Sequence, residues 1–354
     1  MTKINVLIVD DSAFMRKLIS NFLQEDSRIN VIGTARNGID ALSKIEKYNP
    51  DVVTLDVEMP EMNGIEALQR IMSEFPRPVV MLSSTTKEGA DNTLLAMQYG
   101  AVDFIQKPSG SISIDLHLIK NEIVTKVLHA GQVNIELLKK PLKIQETPIS
   151  RVIDYSKIEL EPNKSIKKIV CIGTSTGGPR ALQQVLPEFP SNYPAPIVIV
   201  QHMPAGFTKS LANRLNSLSK ITVKEAEHGE FLRPGTAYIA PGGYHMKLKR
   251  IGTTIAISID ESEIRNGHRP SVDALFESVS EIKGIPKISV IMTGMGADGS
   301  KGLKKLKDTG QVVSIAESKE TSIVFGMPKA AIETNLVDRV ENLEDIAGTI
   351  VTLT

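Results

Sequence analysis

The chain has 354 residues, with 41 Lys+Arg against 41 Asp+Glu and one cysteine. That length allows two domains with a core each, and the charge balance gives no global field for nucleic acid or an anionic membrane. The lone Cys171 excludes an intrachain disulfide and fits a reducing compartment. Met1-Thr2-Lys3 leads straight into an apolar strand, with no signal peptide, and no apolar run approaches the ~20 residues of a membrane span. The expectation is a soluble cytoplasmic protein.

The first hundred residues alternate strand and helix patterns. Strands are predicted at residues 4–9, 30–34, 52–55, 79–82 and 101–104, which argues for a doubly wound parallel sheet. In such sheets a ligand sits beyond the carboxyl ends of the strands. Polar residues gather at those ends: Asp10 and Asp11 after the first strand, Asp56 after the third, Ser83 after the fourth, and Lys107 before Pro108. Carboxylates converging with a lysine suit a hard cation and a phosphoryl group. The aspartates also suit helix caps and turns, but that leaves Lys107 and Ser83 at the same edge unexplained.

Val9-Asp10-Asp11-Ser12, Leu55-Asp56-Val57-Glu58-Met59-Pro60, Met62-Asn63-Gly64 and Lys107-Pro108 resemble a two-component receiver domain over residues 1–125. The resemblance implies Asp56 as phosphoacceptor and a Mg²⁺ site of Asp10, Asp11, Asp56 and the backbone carbonyl of Glu58. It further implies that Ser83 and Lys107 meet the phosphoryl group and that Phe104 is an aromatic that changes rotamer. A plain core aromatic at Phe104 fits the sequence equally well.

Residues 112–130 place Leu116, Ile119, Ile123 and Val127 on one helical face. Periodicity then fades over 131–165, with Lys139-Lys140-Pro141, Thr147-Pro148 and Glu161-Pro162 among scattered charges. Residues 126–165 read as a linker between the first domain and a second at 166–354. No basic helix-turn-helix follows, as a DNA-binding output would need.

The second domain reads as another, mostly parallel α/β sheet. Strands are predicted at 168–172, 197–200, 237–239, 254–259, 287–292 and 311–314, with an antiparallel excursion pairing 246–249 with 253–259. Helices are predicted at 180–186, 207–217, 272–282, 299–308 and 328–334. Gly173-Thr174-Ser175-Thr176-Gly177 follows the first of these strands and fits a nucleophile elbow. A phosphate cradle at a helix N-terminus, or a simple turn, fits the same residues. A serine nucleophile needs a base and an orienting carboxylate. His202 follows an apolar strand as Ser175 does, and ranks ahead of His245 and His268; His117 and His129 belong to a solvated helix surface. Asp298 lies beyond the strand ending at 292, in Thr293-Gly294-Met295-Gly296-Ala297-Asp298-Gly299, whose glycines leave N–H groups for an oxyanion. An Asp-Gly turn capping the next helix is the plainer alternative. The order Ser175, His202, Asp298 departs from the Ser, acid, His order of α/β-hydrolases, which would require something like Ser175, Asp260, His268.

These motifs, with Gln201-His202-Met203-Pro204, Pro241-Gly242-Gly243, His245 and Arg269-Pro270-Ser271-Val272-Asp273, resemble the catalytic domain of the chemotaxis protein-glutamate methylesterases. The resemblance implies hydrolysis of glutamate γ-methyl esters on methyl-accepting chemotaxis receptors, and deamidation of receptor glutamines. Ser175, His202 and Asp298 would be catalytic, the Met295 amide would hold the oxyanion, and Thr176 would lie in the site. Mg²⁺ belongs to the receiver, and the hydrolase needs no cofactor. The implied partners are the receptors and a chemotaxis histidine kinase as phosphodonor, with no nucleic acid and no membrane insertion. The unphosphorylated receiver would limit receptor access. A receiver fused to a non-catalytic anion-binding or DNA-binding output module is the alternative.

Overall fold

Apolar strands separated by side-chain-capped helices build the first of two units. The computed structural model describes residues 3–84, 86–107, 116–139 and 166–354, and the chain divides into Met1–Leu142 and Lys143–Thr354. The first unit runs β1 (Ile4–Val9), α1 (Ala13–Gln24), β2 (Ile29–Ala35), α2 (Gly38–Tyr48), β3 (Val52–Asp56), α3 (Gly64–Glu74), β4 (Val79–Ser83), α4 (Lys87–Gln98) and β5 (Asp103–Gln106), then α5 (Leu116–Ala130) and α6 (Glu136–Lys139). Ser12, Asn37 and Asn63 accept from first-turn amides and start α1, α2 and α3 where the strands stop. The five strands pair in parallel in the order β2-β1-β3-β4-β5. The strand order switches between β1 and β3, and Asp10 and Asp56 lie there.

Three expectations shift. The fifth strand begins at Asp103 instead of residue 101, because the Ala101 N–H bonds Ala96 O at 3.0 Å and the chain is still turning off α4. Part of the connector is helical: Asn134 Oδ1 accepts from Glu136 N at 3.1 Å, and Leu138, only 2% exposed, is packed into the unit. His129 is half-buried, not solvated, and its burial lowers the ring's pKa. Pro108, residues 140–165 of the connector and the side chains of Leu116 and His117 lie outside the described residues.

The second unit opens with β6 (Ile169–Thr174), α7 (Gly178–Val185) and a 3-10 turn (Leu186–Glu188), followed by β7 (Ile197–Gln201), α8 (Phe207–Leu218), β8 (Thr222–Glu225) and β9 (Thr236–Ile239). It continues through β10 (His245–Ile251), β11 (Thr254–Asp260), α9 (Val272–Ser280), β12 (Lys287–Ile291), α10 (Ser300–Lys307), β13 (Val312–Glu317), α11 (Met327–Glu333), β14 (Arg339–Glu341) and α12 (Leu343–Leu353). Seven strands pair in parallel in the order β14-β13-β12-β6-β7-β9-β8, while β10 and β11 form a separate antiparallel hairpin. The central strands β12, β6 and β7 are buried along their whole length, as a sheet covered on both faces requires. Cys171 lies there, its Sγ donating to Ile288 O, and burial holds the thiol far above its ordinary pKa. Beneath α9 and α10 the core gathers Val272, Leu275, Phe276, Leu303 and Leu306. Among the described residues no helix is long and apolar enough to cross a membrane.

Truncating Phe276, which is fully buried, should destabilise the second unit by about 3–5 kcal/mol through lost transfer energy and a cavity. Phe14→Ala, at a side chain 57% exposed, should change stability by no more than about 0.5 kcal/mol. Urea unfolding of the two variants checks both.

Candidate active site

The three central strands of the second unit end side by side. Register pairs Ile291 with Gly173 and Gly173 with Val200, so the segments after β12, β6 and β7 leave the sheet together. Ser175 follows β6. Its N–H donates to Thr293 O at 3.1 Å, which ties it to the segment after β12, and the His202 N–H donates to Thr174 O at 3.1 Å. Gln201 joins the other two segments: its Nε2 donates to Ser175 O at 3.0 Å and His202 O at 3.1 Å, and its Oε1 accepts from Thr174 Oγ1 at 2.7 Å. Ser175 and Thr176 are nearly buried, 8% and 7% exposed.

His202 Nε2 lies 2.8 Å from Asp298 Oδ2, with the two side chains only 5% and 1% exposed. Its other ring nitrogen, Nδ1, is buried without a hydrogen-bond partner in the protein. Asp298 cannot swing away. Its Oδ1 accepts from Ser271 Oγ (2.9 Å), Asn266 Nδ2 (2.8 Å), and the Asp273 and Gly299 amides (both 3.1 Å), while Oδ2 also accepts from Val272 N (2.7 Å). The Val272 and Asp273 amides open α9 and Gly299 caps α10, so the carboxylate sits at helix N-termini, where the dipoles favour an anion. Burial alone would raise the Asp298 pKa; His202 and the Val272 and Asp273 amides outweigh it and hold the group well below the usual carboxylate range.

Two further histidines fall into place around this pair. His268 stacks on His202, with ring centroids 3.9 Å apart and planes 11° from parallel. His245 is buried; its Nδ1 accepts from Ser271 N at 3.2 Å and its Nε2 faces Glu263 O at 3.0 Å. It therefore holds the residue that holds Asp298. Asp260, the carboxylate of the other chain order, pairs with Lys247 at 2.8 Å.

The segment after β12 passes so close to Ser175 that only glycine fits at position 294. A Cβ there would lie 2.8 Å from Ser175 Cβ and 2.5 Å from Met327 Sδ. Gly294 O accepts from the Gly326 and Met327 amides at 3.1 and 2.8 Å, and in a trans peptide the Met295 N–H of that same unit points the opposite way. Among the described residues the Met295 N–H has no acceptor in the protein.

In the first unit, one carboxylate oxygen from each of Asp10, Asp11 and Asp56 lies within 4.8 Å of the others. Lys107 Nζ is 2.9 Å from Asp10 Oδ2 and 2.7 Å from Asp56 Oδ2. The Glu58 N–H donates to Asp56 Oδ1 at 3.3 Å. Gly64 lets α3 start against β3, since a Cβ there would meet Asp56 O at 2.0 Å. Ser83 ends β4 beside them; its O accepts from Lys107 N at 2.8 Å, and its hydroxyl donates to Gly89 O at 3.0 Å. Phe104 is buried, and Lys126 Nζ lies 5.1 Å from its ring centroid. Burial raises the Asp56 pKa to about 6, with Asp10 adding to the rise and Lys107 opposing it. Hard oxygen donors at this spacing, with ionisation at Asp56 disfavoured chiefly by burial, fit a divalent cation.

Sequence reasoning missed Asn266 and the stacking of His268. Both lie on the turn-rich stretch between β11 and α9, which carries no periodic pattern. The one local signal was Ser271 at the start of an apolar helix, a cap whose hydroxyl serves the carboxylate as well as the Ala274 amide.

The family model described as CheB methylesterase matches residues 170–350, and that of the response regulator receiver domain matches residues 6–118. A relative from Geobacillus kaustophilus, named protein-glutamate methylesterase/protein-glutamine glutaminase, is 58% identical over 353 residues, covering 100% of this chain and 99% of its own. One of the same name from Bacillus subtilis is 49% identical over 349 residues, covering 98% of this chain and 97% of its own. The crystal structure of the Thermotoga maritima CheB methylesterase catalytic domain is 51% identical, with a TM-score of 0.52, and covers 53% of this chain and 98% of that one.

The pKa of Asp56, raised from 3.8 to about 6, sets a stability test. A carboxyl whose folded pKa exceeds its unfolded value costs stability progressively as pH climbs between the two, and the full cost stands above the folded pKa. Without divalent cation, Asp56→Asn should therefore stabilise the first unit at pH 8 by about 1–3 kcal/mol, and the gain should vanish near pH 4. Urea midpoints at the two pH values measure it.

Proposed function

This chain belongs to the CheB methylesterase family, and from that premise we propose that Ser175, His202 and Asp298 carry its acyl transfer. The enzyme is a protein-glutamate methylesterase/protein-glutamine glutaminase with a response-regulator receiver ahead of its hydrolase. One observation carries the assignment of roles. Asp298 holds Nε2 of His202 at 2.8 Å, and Nδ1 is left buried and unpartnered. The carboxylate fixes the tautomer with the proton on Nε2, so Nδ1 is the base.

Ser175 Oγ attacks the side-chain carbonyl carbon of a glutamate γ-methyl ester as its proton passes to His202 Nδ1. The negative charge on the carbonyl oxygen is met by the Met295 N–H, and Asp298 stabilises the imidazolium. Collapse breaks the bond to the methoxy oxygen, which leaves as methanol with the proton from Nδ1 and leaves an acyl ester on Ser175. A water then gives its proton to Nδ1 and adds to the ester carbonyl. The second collapse releases glutamate and restores the serine hydroxyl. A glutamine side chain follows the same path, with ammonia as the leaving group. Thr176 lines the same turn.

Asp10, Asp11, Asp56 and the Glu58 carbonyl would hold Mg²⁺, which supplies the positive charge a phosphoryl transfer needs. Asp56 is the phosphoacceptor, and Lys107 and Ser83 receive the phosphoryl oxygens. The methylated substrate is a chemotaxis receptor, the phosphodonor a chemotaxis kinase, and the setting cytoplasmic. Neither a nucleic acid nor membrane insertion enters the reading.

Methanol release from a methylated receptor signalling domain tests the chemistry. Ser175→Ala should lose release by roughly 10⁴-fold or more, and Asp298→Asn by about 10⁴-fold through the wrong tautomer. Undiminished release in Ser175→Ala would remove it as nucleophile. With Mg²⁺ and a small-molecule phosphodonor the wild type should release methanol faster. Asp56→Asn should show no such increment, and a preserved increment would place the phosphoacceptor elsewhere.

A further inference from the structure

Glu317 is the last residue of β13 and is 0% exposed. Its Oε2 accepts from Thr293 N at 2.7 Å, and its Oε1 accepts from Thr321 Oγ1 at 3.0 Å. Thr293 is where β12 has left the sheet: Ile291 still pairs with Ala316, but two residues on, the amide that would face β13 meets a carboxylate instead. The same threonine anchors the site in three other directions. Its O accepts from Ser175 N at 3.1 Å, its Oγ1 donates to Thr176 O at 2.9 Å, and that Oγ1 accepts from Val324 N at 3.0 Å. One side chain outside the catalytic trio thus fixes the peptide from which Gly294 and Met295 are hung.

Resting on the methylesterase reading above, we propose that Glu317 is a positioning residue for the oxyanion loop: its carboxylate, by accepting the Thr293 N–H, sets the Met295 amide opposite Ser175. A charged acceptor makes a shorter, stronger hydrogen bond than a neutral one, so the setting depends on whether Glu317 holds a proton. Burial pushes its pKa up to about 7, with the Thr293 amide and Thr321 hydroxyl opposing the rise and Glu344 adding to it. The charged groups around it are Glu344 in the first turn of α12, and, on β14, its cross-strand partner Glu341 with Arg339, 3.9 Å from Glu341. The ionised form is therefore lost near neutrality as pH falls, and the hydrogen bond weakens with it.

The test uses the full chain and methylated receptor domain, comparing wild type, Ser175→Ala and the nearly isosteric Glu317→Gln from pH 6 to 9. Glu317→Gln reproduces the neutral acceptor at every pH. Its kcat at pH 8.5 should fall about three- to ten-fold with KM unchanged, and the wild-type excess should shrink toward pH 6. In ¹⁵N-threonine-labelled protein the Thr293 amide resonance should titrate near pH 7 in wild type and stay flat in Glu317→Gln. A Glu317→Gln enzyme with wild-type kcat across the range, or a Thr293 resonance that does not titrate in wild type, overturns the inference. Release that is absent in wild type or independent of Ser175 overturns the methylesterase reading, and this inference with it.

Discussion

A buried negative charge organises the second unit. Asp298 is nearly sealed from water, and an unpaired carboxylate there would be prohibitively costly. The fold answers with a ring of donors drawn from separate parts of the chain: the Asn266 amide, the Ser271 hydroxyl, the backbone of Val272, Asp273 and Gly299, and the His202 ring. Removing any neutral member leaves the charge supported by the rest. Removing the carboxylate leaves all of them facing one another without an acceptor. The loop after β11, the start of α9 and the segment after β12 are therefore held in mutual register by one anion, and the histidine proposed as the base is one of its ligands.

The two units apply the same architecture to opposite electrostatic ends. Both are parallel sheets whose polar residues leave at the carboxyl ends near a reversal of strand order. In the first unit, Asp10 and Asp56 share one lysine, and Asp56 is left reluctant to ionise. In the second, the Asp298 carboxylate is surrounded by dipoles and is held ionised, while burial and Asp298 push its neighbour Asp273, which shares the Asn266 and Gly299 donors, the other way. The first arrangement favours an added positive charge; the second keeps its own charge in place. The roles proposed above, a switch in one unit and a fixed orienting group in the other, need those two different environments.

Much of this was legible in the sequence, because strand ends in parallel sheets are easy to locate and because Ser175, His202 and Asp298 each follow one. Beyond that, the legibility drops for identifiable reasons. The edge strands β8 and β14 are short and largely polar, with burial on one residue or none, so they carry no period-2 signal. Which ring nitrogen of His202 faces Asp298 depends on where α9 begins relative to β12, a tertiary matter. The cradle of Asp298 is mostly backbone amide, and backbone has no letter of its own. Glu317 reads as an ordinary charged residue closing a strand, and only its depth in the fold marks it as different.

Cys171 lies on the middle strand of the seven, sealed on both faces and with a thiol that resists ionisation. Thiol-directed probes react with thiolates, so in the folded state this sulfur is silent to maleimides and mild oxidants. A cysteine introduced anywhere on the surface then becomes the molecule's sole reactive thiol, with no background to subtract. Loss of that silence reports, at one atom, that the central sheet has opened.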